Sequence, residues 1–309
     1  MHAIHYEYLR HALGPRTAML RSTAIIPLVS LLCCVRLLAH MDPPGETYPT
    51  VLVEGDQFHV YFRDNSLEAP EGNNFFRRIY NADGELLVDR AVAPDGPVIA
   101  AKRAPDLGLP EELTGRWRKV GRAFYIIPEW DRKHHGQPFY LVANENRHIR
   151  RDLKWTTANV DVVEDFVVTA TDLVLLVTRR IEGPATNDWR TDLWLCHFEK
   201  HSGELLKELR IGVPSFIYSF PGTSNLLQHG SDVLFVWNEG GDQDRREILH
   251  LARYNLSAKT VHDRSLPFQS TWNTSISINA IGDTVCLAYH GISRELAVEF
   301  VPTAEGAQH

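Results

Sequence analysis

Five short apolar segments recur along the chain, each after a turn and most before a charged or polar residue. The second residue of the turn is acidic in four segments and is Arg122 in the other. About five apolar residues bounded by turn residues predict a buried strand, and abundant Val, Ile, Tyr, Phe and Thr favour strands over helices. The segments occupy residues 55–64, 121–130, 171–180, 231–240 and 282–291.

A second hairpin follows most of these segments. It is predicted over residues 75–92, 192–211 and 248–266, and less regularly over 139–153, with Gly, Asn and Asp at the turns. Two hairpins make a four-stranded antiparallel sheet, whose strands we name A to D in chain order. The segments are 50 to 66 residues apart, and all-β repeats of roughly this length are typical of propeller blades.

The sequence therefore predicts an all-β fold, a β-propeller of about five four-stranded antiparallel blades. The fifth blade begins near residue 272 and ends with residues 294–301, which leaves no evident strand D. The last blade is thus expected to be incomplete. Either it has three strands, or the ring of blades closes less tightly than usual. A single propeller domain is predicted over residues 41–303, between an N-terminal extension at 1–40 and a disordered tail at 304–309.

The N-terminal extension has the pattern of a signal peptide. An apolar run at residues 24–38 follows Arg21 and precedes the small residue Ala39. We interpret Met19 as the initiator and expect the mature chain to begin near His40. The alternatives are an uncleaved anchor and a buried helix, and the run is short for a membrane span of about 20 residues. A secreted or periplasmic location is expected, with membrane attachment only if the segment is uncleaved.

The net charge, the cysteines and the absence of known motifs limit the partners, cofactors and metals that the chain is expected to bind. The formal net charge is −7 and no basic block is present, which argues against nucleic acid as a partner. Cys196 and Cys286 lie in different predicted strands and are expected to be buried thiols. No dinucleotide, P-loop or GxSxG fingerprint occurs, and His197 and His201 lie on a hairpin rather than on the helix that a zinc motif requires. The sequence predicts no cofactor and no metal.

A ligand site is predicted on the face formed by the loops between strands B and C. These loops are longer than the A–B turns, and function concentrates on loops that a rigid scaffold positions. Seven residues after the second turn residue, every segment has a titratable side chain where strand B ends. These five residues are Arg63, Glu129, Arg179, Glu239 and His290.

Tryptophans accumulate at the same end of the predicted strands. Aromatic rings stack on the apolar faces of sugars, and charged side chains bind hydroxyls and carboxylates. We therefore predict an exported, non-catalytic propeller that binds a carbohydrate or a protein ligand at this face. The alternative is that the charges only meet solvent and the rings pack between blades. The residues concerned are Trp130, Trp155, Arg180, Trp189, Trp237 and Trp272.

Residues 47–301 resemble β-propeller proteins in general. Within that group, the Trp-Asn-Glu at 237–239 and the segments 77–80 and 84–87 resemble sialidase-like (BNR-repeat) propellers. This resemblance implies a secreted enzyme that binds a sugar carboxylate through Arg63, Arg179 and Arg180. It also implies a nucleophilic pair, Tyr289 with Glu239. Those enzymes have six blades, whereas the repeat predicts five here.

Five-bladed glycosidases of the arabinanase and invertase type are similar in blade count. They hold three carboxylates near the starts of inner strands, and the separation and environment of these groups set their roles. The inner strands here begin near Asp42, Asp161 and Asp165, but the fourth and fifth crossings have Ser215 and Trp272. A glycoside hydrolase or sialidase-like enzyme is therefore the alternative function. A purely structural or protein-interaction scaffold is the third.

Overall fold

Glycines close the turn between the first two strands in four of the five predicted blades. Gly55, Gly121, Gly230 and Gly282 have φ angles between 54° and 66°. This left-handed region is open to glycine without steric cost. Turns of this hand match the twist of the flanking strands in short hairpins. The recurring turn in the sequence is thus the turn that joins strand A to strand B.

The computed structural model describes eleven stretches of the chain, and all of them belong to one compact unit, Pro44–His309. The expected extension at 1–40 and the tail at 304–309 lie outside these stretches and stay predictions. The described residues are 46–64, 75–92, 115–128, 138–144, 147–155, 161–182, 189–214, 225–239, 246–271, 276–291 and 295–303.

Within these residues, nineteen strands form five antiparallel sheets in which each strand pairs with its neighbours in the chain. We call the sheets blades 1 to 5. The strands are β1 (Glu46–Glu54), β2 (Gln57–Asp64), β3 (Phe75–Asn81) and β4 (Leu86–Val92) in blade 1; β5 (Gly115–Val120), β6 (Ala123–Pro128), β7 (Phe139–Asn144) and β8 (Arg147–Asp152) in blade 2; β9 (Asp161–Val168), β10 (Asp172–Glu182), β11 (Trp189–Glu199) and β12 (Leu205–Gly212) in blade 3; β13 (Leu226–His229), β14 (Asp232–Glu239), β15 (Arg246–Asn255) and β16 (Thr260–Thr271) in blade 4; and β17 (Ile276–Ile281), β18 (Thr284–His290) and β19 (Leu296–Pro302) in blade 5.

The predicted fold is confirmed: this unit is an all-β propeller of five blades. Four blades have four strands, and the fifth has three within the described residues. The first strands of successive blades are in contact, β5 with β9, β9 with β13, β13 with β17 and β17 with β1. The first strand of each blade is therefore its inner strand.

Blade 5 is joined directly to blade 1 by polar contacts between inner strands. The backbone N–H of Val51 donates to Ser277 Oγ at 3.0 Å, and Asn279 Nδ2 donates to the carbonyl of Val51 at 3.3 Å. On the same seam, Phe300 of β19 lies against Phe58 and Tyr80 of blade 1, with ring centroids 5.6 and 5.2 Å apart. The described strands of blade 5 therefore pack directly against blade 1.

Hydrophobic clusters fill the seams between neighbouring blades. Alternate side chains of a strand point to opposite faces of its sheet, so each blade contributes to two clusters. Phe166 and Phe198 are buried with residues of blade 2, and Phe235 belongs to the cluster between blades 3 and 4. Cys196 and Cys286 are buried thiols, as expected, and burial raises the pKa of the Cys286 thiol.

In blades 3 and 4, the acidic turn residue of the repeat binds the third strand of its blade. Asp232 accepts hydrogen bonds from Arg253 and from Asn255 Nδ2. Asp172 Oδ1 lies 2.8 Å from His197 Nε2, and the other ring nitrogen of His197 lies 2.8 Å from the Tyr254 hydroxyl of blade 4. Asp172 and Asp232 are thus structural groups.

Candidate functional site

Four of the five residues predicted at the ends of the B strands fall within the described residues. Arg63 precedes the last residue of β2, Arg179 lies near the end of β10, and Glu239 and His290 end β14 and β18. They therefore share one end of their sheets. Their surroundings differ, and those surroundings decide what each side chain can do. Glu129, Trp130 and Trp272 lie outside the described residues.

Arg179 is engaged within the seam between blades 2 and 3. Its Nη2 donates to Glu208 Oε1 at 2.6 Å, and its guanidinium carbon lies 4.4 Å from the ring centroid of Trp194. Trp155 Nε1 donates to the same Glu208 oxygen at 3.1 Å. Only 14 % of the Arg179 side chain is exposed. A ligand carboxylate would have to compete with Glu208, so the structure places Arg179 and Trp155 in a packing role.

Trp237 is buried against blade 3, which corrects its expected role as a stacking platform. The residue is 3 % exposed, and its ring stacks on His250 with centroids 4.2 Å apart. A Cβ atom on Gly212 of β12 would lie 2.3 Å from Trp237 Cη2, so the ring edge rests on that glycine. No ligand can stack on this ring without displacing blade 3.

His250 lies between two carboxylates beside Trp237. Its Nδ1 is 3.1 Å from Asp263 Oδ2 and its Nε2 is 3.4 Å from Glu239 Oε2. Burial lowers the pKa of His250, but the hydrogen bond and charge of Asp263, together with Glu239, outweigh burial and raise it above its ordinary value. Glu239, with half of its side chain exposed, remains open to solvent at the strand end.

The pKa of His250 predicts how stability depends on pH. Because the folded pKa is above the unfolded one, the contribution to the free energy of unfolding is complete below about pH 6.5. That contribution is lost as the pH rises through the folded pKa. Urea unfolding between about pH 5.5 and 9 should show this decline, and His250→Gln should reduce it, whereas exposed His148→Gln should leave it unchanged. An equal decline in His250→Gln would contradict this prediction.

Tyr289 and Glu239 do not form the pair that the sialidase-like resemblance implies. Tyr289 is 3 % exposed in the cluster between blades 4 and 5, which includes Val236. Glu239 shares a strand face with Trp237, on the opposite side of the blade 4 sheet. Burial, and secondarily Glu299, raises the pKa of Tyr289 to about 12. The interpretation of these two residues as a nucleophilic pair is therefore wrong.

The remaining predicted residues have less defined surroundings. His290 is buried at the end of β18, and Arg63 is partly buried at the end of β2. The backbones of Arg180 and Trp189 lie in β10 and β11, opposite Thr191 and Glu182. Ligand binding by these four residues stays a prediction.

Charged residues that the repeat did not single out meet on the inner strands of blades 2, 3 and 4. Asp165 of β9 is 3 % exposed, and its Oδ2 accepts from the backbone N–H groups of Asn225 and Leu226 at 2.9 and 3.0 Å. Its Oδ1 accepts from Arg118 of β5 and from the N–H of Phe166. Asp165 thus links the inner strands of three blades, and both of its oxygens are used.

Glu164 precedes Asp165 and has a different environment. Val163 pairs with Val177 and Asp165 with Leu176, so Glu164 is the extra residue of a β-bulge. Such bulges redirect a side chain and are frequent beside active sites. Thr178 Oγ1 donates to Glu164 Oε1 at 2.6 Å, and Arg116 Nη2 of blade 2 lies 3.9 Å from Oε2.

Burial dominates the ionisation of Glu164. Desolvation raises the pKa of this carboxyl above its ordinary value, Asp165 adds to the rise, and the Thr178 hydroxyl and the Arg116 charge oppose it. Glu164 is therefore a carboxyl that retains its proton to higher pH than an exposed glutamate. The sequence predicts Asp165 near the start of an inner strand but does not single out Glu164, since a bulge leaves no mark in a run of Val, Asp and Glu.

Within the described stretches, no group of three or more His, Cys, Asp or Glu side chains is placed to hold a metal ion. The same stretches contain no helix long and apolar enough to span a membrane.

Comparison with known proteins finds similarity only among solved structures. No family model and no curated protein matches the sequence. An endo-arabinase from Bacteroides thetaiotaomicron is 8 % identical, with a TM-score of 0.40 over 84 % of this chain and 94 % of that one. A thermostable family-43 glycoside hydrolase is 11 % identical, with a TM-score of 0.44 over 86 % and 93 % of the two chains.

A third similar structure is the catalytic domain of the Coprinopsis cinerea GH62 α-L-arabinofuranosidase. It is 11 % identical, with a TM-score of 0.36 over 83 % of this chain and 89 % of that one. Likeness of this extent gives no information about activity. The assignment of the fold depends on the sheet order and strand contacts described above, and the sialidase-like resemblance receives no support from these structures.

Proposed function

We propose that this chain is a glycoside hydrolase that acts at the inner strands of the propeller, with Glu164 as the proton donor. The observation that supports this proposal is the bulge that sets a buried glutamate with a raised pKa beside Arg116 and Thr178. A general acid must retain its proton near the working pH, and burial is the usual means of raising a glutamate pKa. Export, expected from residues 24–38, is part of the same proposal.

Glycosidic hydrolysis also needs a second carboxylate on the other side of the sugar, about 5–10 Å from the acid. Asp165 is adjacent in sequence, but its oxygens are taken by Arg118 and by three backbone N–H groups. It therefore orients the strand that carries Glu164 and is a positioning residue rather than a base. In this scheme Arg116 is fixed beside Glu164, because its Nε donates a hydrogen bond to the carbonyl of Val163, the preceding residue of β9, at 2.9 Å.

The proposal is tested by a glycan screen followed by hydrolysis assays on every glycan that binds. Glu164→Gln keeps the shape of the side chain and removes the transferable proton. It should lower kcat about 10²- to 10⁴-fold, the usual contribution of a general acid, and leave glycan binding in place. Glu299→Gln is the matched control, because burial also raises the pKa of Glu299, on the outer strand β19. A Glu164→Gln enzyme with full activity would contradict the proposal.

Non-catalytic glycan binding is the second candidate, and the full engagement of Asp165 favours it. A binding protein needs no free carboxylate pair, only groups that contact hydroxyls. Glycans that bind to the wild-type protein and are never cleaved would support this function. The absence of any glycan binding would support the scaffold role instead.

A further inference from the structure

Blade 2 has a charge opposite in sign to that of the whole chain. Its described residues, 115–128, 138–144 and 147–155, contain eight Lys or Arg residues and one acidic residue, Asp152, whereas the whole chain has a formal charge of −7. Arg116 and Arg118 reach blade 3 at the inner strands. The other six cations lie outside that contact.

Three of these six cations, all arginines, lie on the outer strand β8. All six residues of β8 are exposed, and the strand reads Arg-His-Ile-Arg-Arg-Asp. Arg150 Nε lies 2.7 Å from Asp152 Oδ1, and the guanidinium group of Arg150 lies over the Phe139 ring. Arg147 and Arg151 lie on the other face of the strand, since alternate side chains point to opposite faces. Arg122, in the turn between β5 and β6, is exposed where the other repeats have an aspartate.

Protection of a sheet edge does not explain this pattern. Charged side chains on an outer strand do discourage edge-to-edge association. The outer strands of blades 1, 3 and 4 have nearly balanced charges, Asp89 with Arg90 in β4, Glu208 with Lys207 and Arg210 in β12, and Asp263 with Arg264 in β16, whereas β8 has three arginines and one aspartate. An accumulation of one sign therefore needs a further reason, and an anionic partner provides it.

We propose that β8 binds a linear, carboxylate-bearing polysaccharide. Arginine pairs well with carboxylates, and cations at alternate positions along a strand can follow a repeating anionic chain. A protein interface would need apolar or aromatic anchors, yet Ile149 is the only apolar residue of β8. Single-stranded nucleic acid would need exposed aromatic rings for its bases, and β8 has none. This inference extends the proposed function by naming the class of glycan.

Binding to polygalacturonate, measured by calorimetry at about 50 mM NaCl, tests the inference. We expect binding that weakens as NaCl rises to about 300 mM, because exposed charges are screened. The double variant Arg147→Gln/Arg151→Gln should bind about tenfold more weakly, since it removes two exposed ion pairs. The control Lys207→Gln/Lys259→Asn removes the same charge from blades 3 and 4 and should bind like the wild type. Both variants should melt like the wild type.

Several results would overturn the inference. They are equal binding by the two double variants, equal binding of a neutral polysaccharide, and tighter binding of poly-glutamate or duplex DNA than of polygalacturonate. Glu164→Gln should retain polygalacturonate binding. Loss of hydrolysis in that variant therefore reports on the proposed activity, whereas loss of binding in the arginine variant reports on this surface.

Discussion

Asp165→Ala is expected to lower the free energy of unfolding by about 3–5 kcal/mol, the cost of breaking a buried charged pair from one side. The substitution removes both acceptors that hold the N–H groups of Asn225 and Leu226. It also leaves Arg118 without its carboxylate at the seam between blades 2 and 3. Because Asp165 contacts the inner strands of blades 2 and 4, the loss affects the whole ring rather than one hairpin.

Urea unfolding of Asp165→Ala, followed by tryptophan fluorescence, measures this loss. Asp165→Asn retains one acceptor and the side-chain volume, so it should lose less than Asp165→Ala. Asp152→Asn is the control, because its partner Arg150 is exposed and such pairs contribute about 0–1 kcal/mol. If Asp165→Ala were as stable as Asp152→Asn, the central role of this carboxylate would be refuted.

Trp237→Ala is expected to cost about 3–5 kcal/mol, the usual range for deletion of a buried aromatic side chain. The ring is 3 % exposed and lies between His250 of its own blade and Gly212 of blade 3. Removing it leaves a cavity at the seam and exposes the carboxylate-bound His250 to water. Thermal melting of the variant measures the effect. A melting temperature within a degree or two of the wild type would show that the ring is not a packing group.

Gly212 provides a second test of the same contact. A Cβ at Gly212 would lie 2.3 Å from Trp237 Cη2 and 2.8 Å from Cζ3, so Gly212→Ala alone should also destabilise the protein. In the Trp237→Ala background the added methyl group enters the cavity and should cost much less. The two free-energy changes should therefore be clearly non-additive. Additive losses would mean that the ring moves aside at little cost.

The repeat predicted which residues lie at the ends of the B strands, but not what their side chains contact there. Arg179 and Trp237 both lie near the ends of their B strands, as the register of the segments indicated. Trp237 turns into the seam with blade 3, where its ring meets Gly212, whereas Arg179 is held by Glu208 and Trp194 of its own blade. Which face of a sheet meets a neighbouring blade depends on how the blades pack, and a local pattern of apolar residues does not contain that information.

The sequence by itself determined that this protein is built of antiparallel hairpins in five repeats, and it predicted the three-stranded last blade that the described residues form. It could do so because turn glycines and apolar runs act locally, through backbone conformation and strand burial. Only the tertiary structure decided that Glu164 and Asp165, two adjacent carboxylates, have different environments. One bulge and contacts from residues 47 to 61 positions away in the chain set those environments, because solvation and charge depend on neighbours in space.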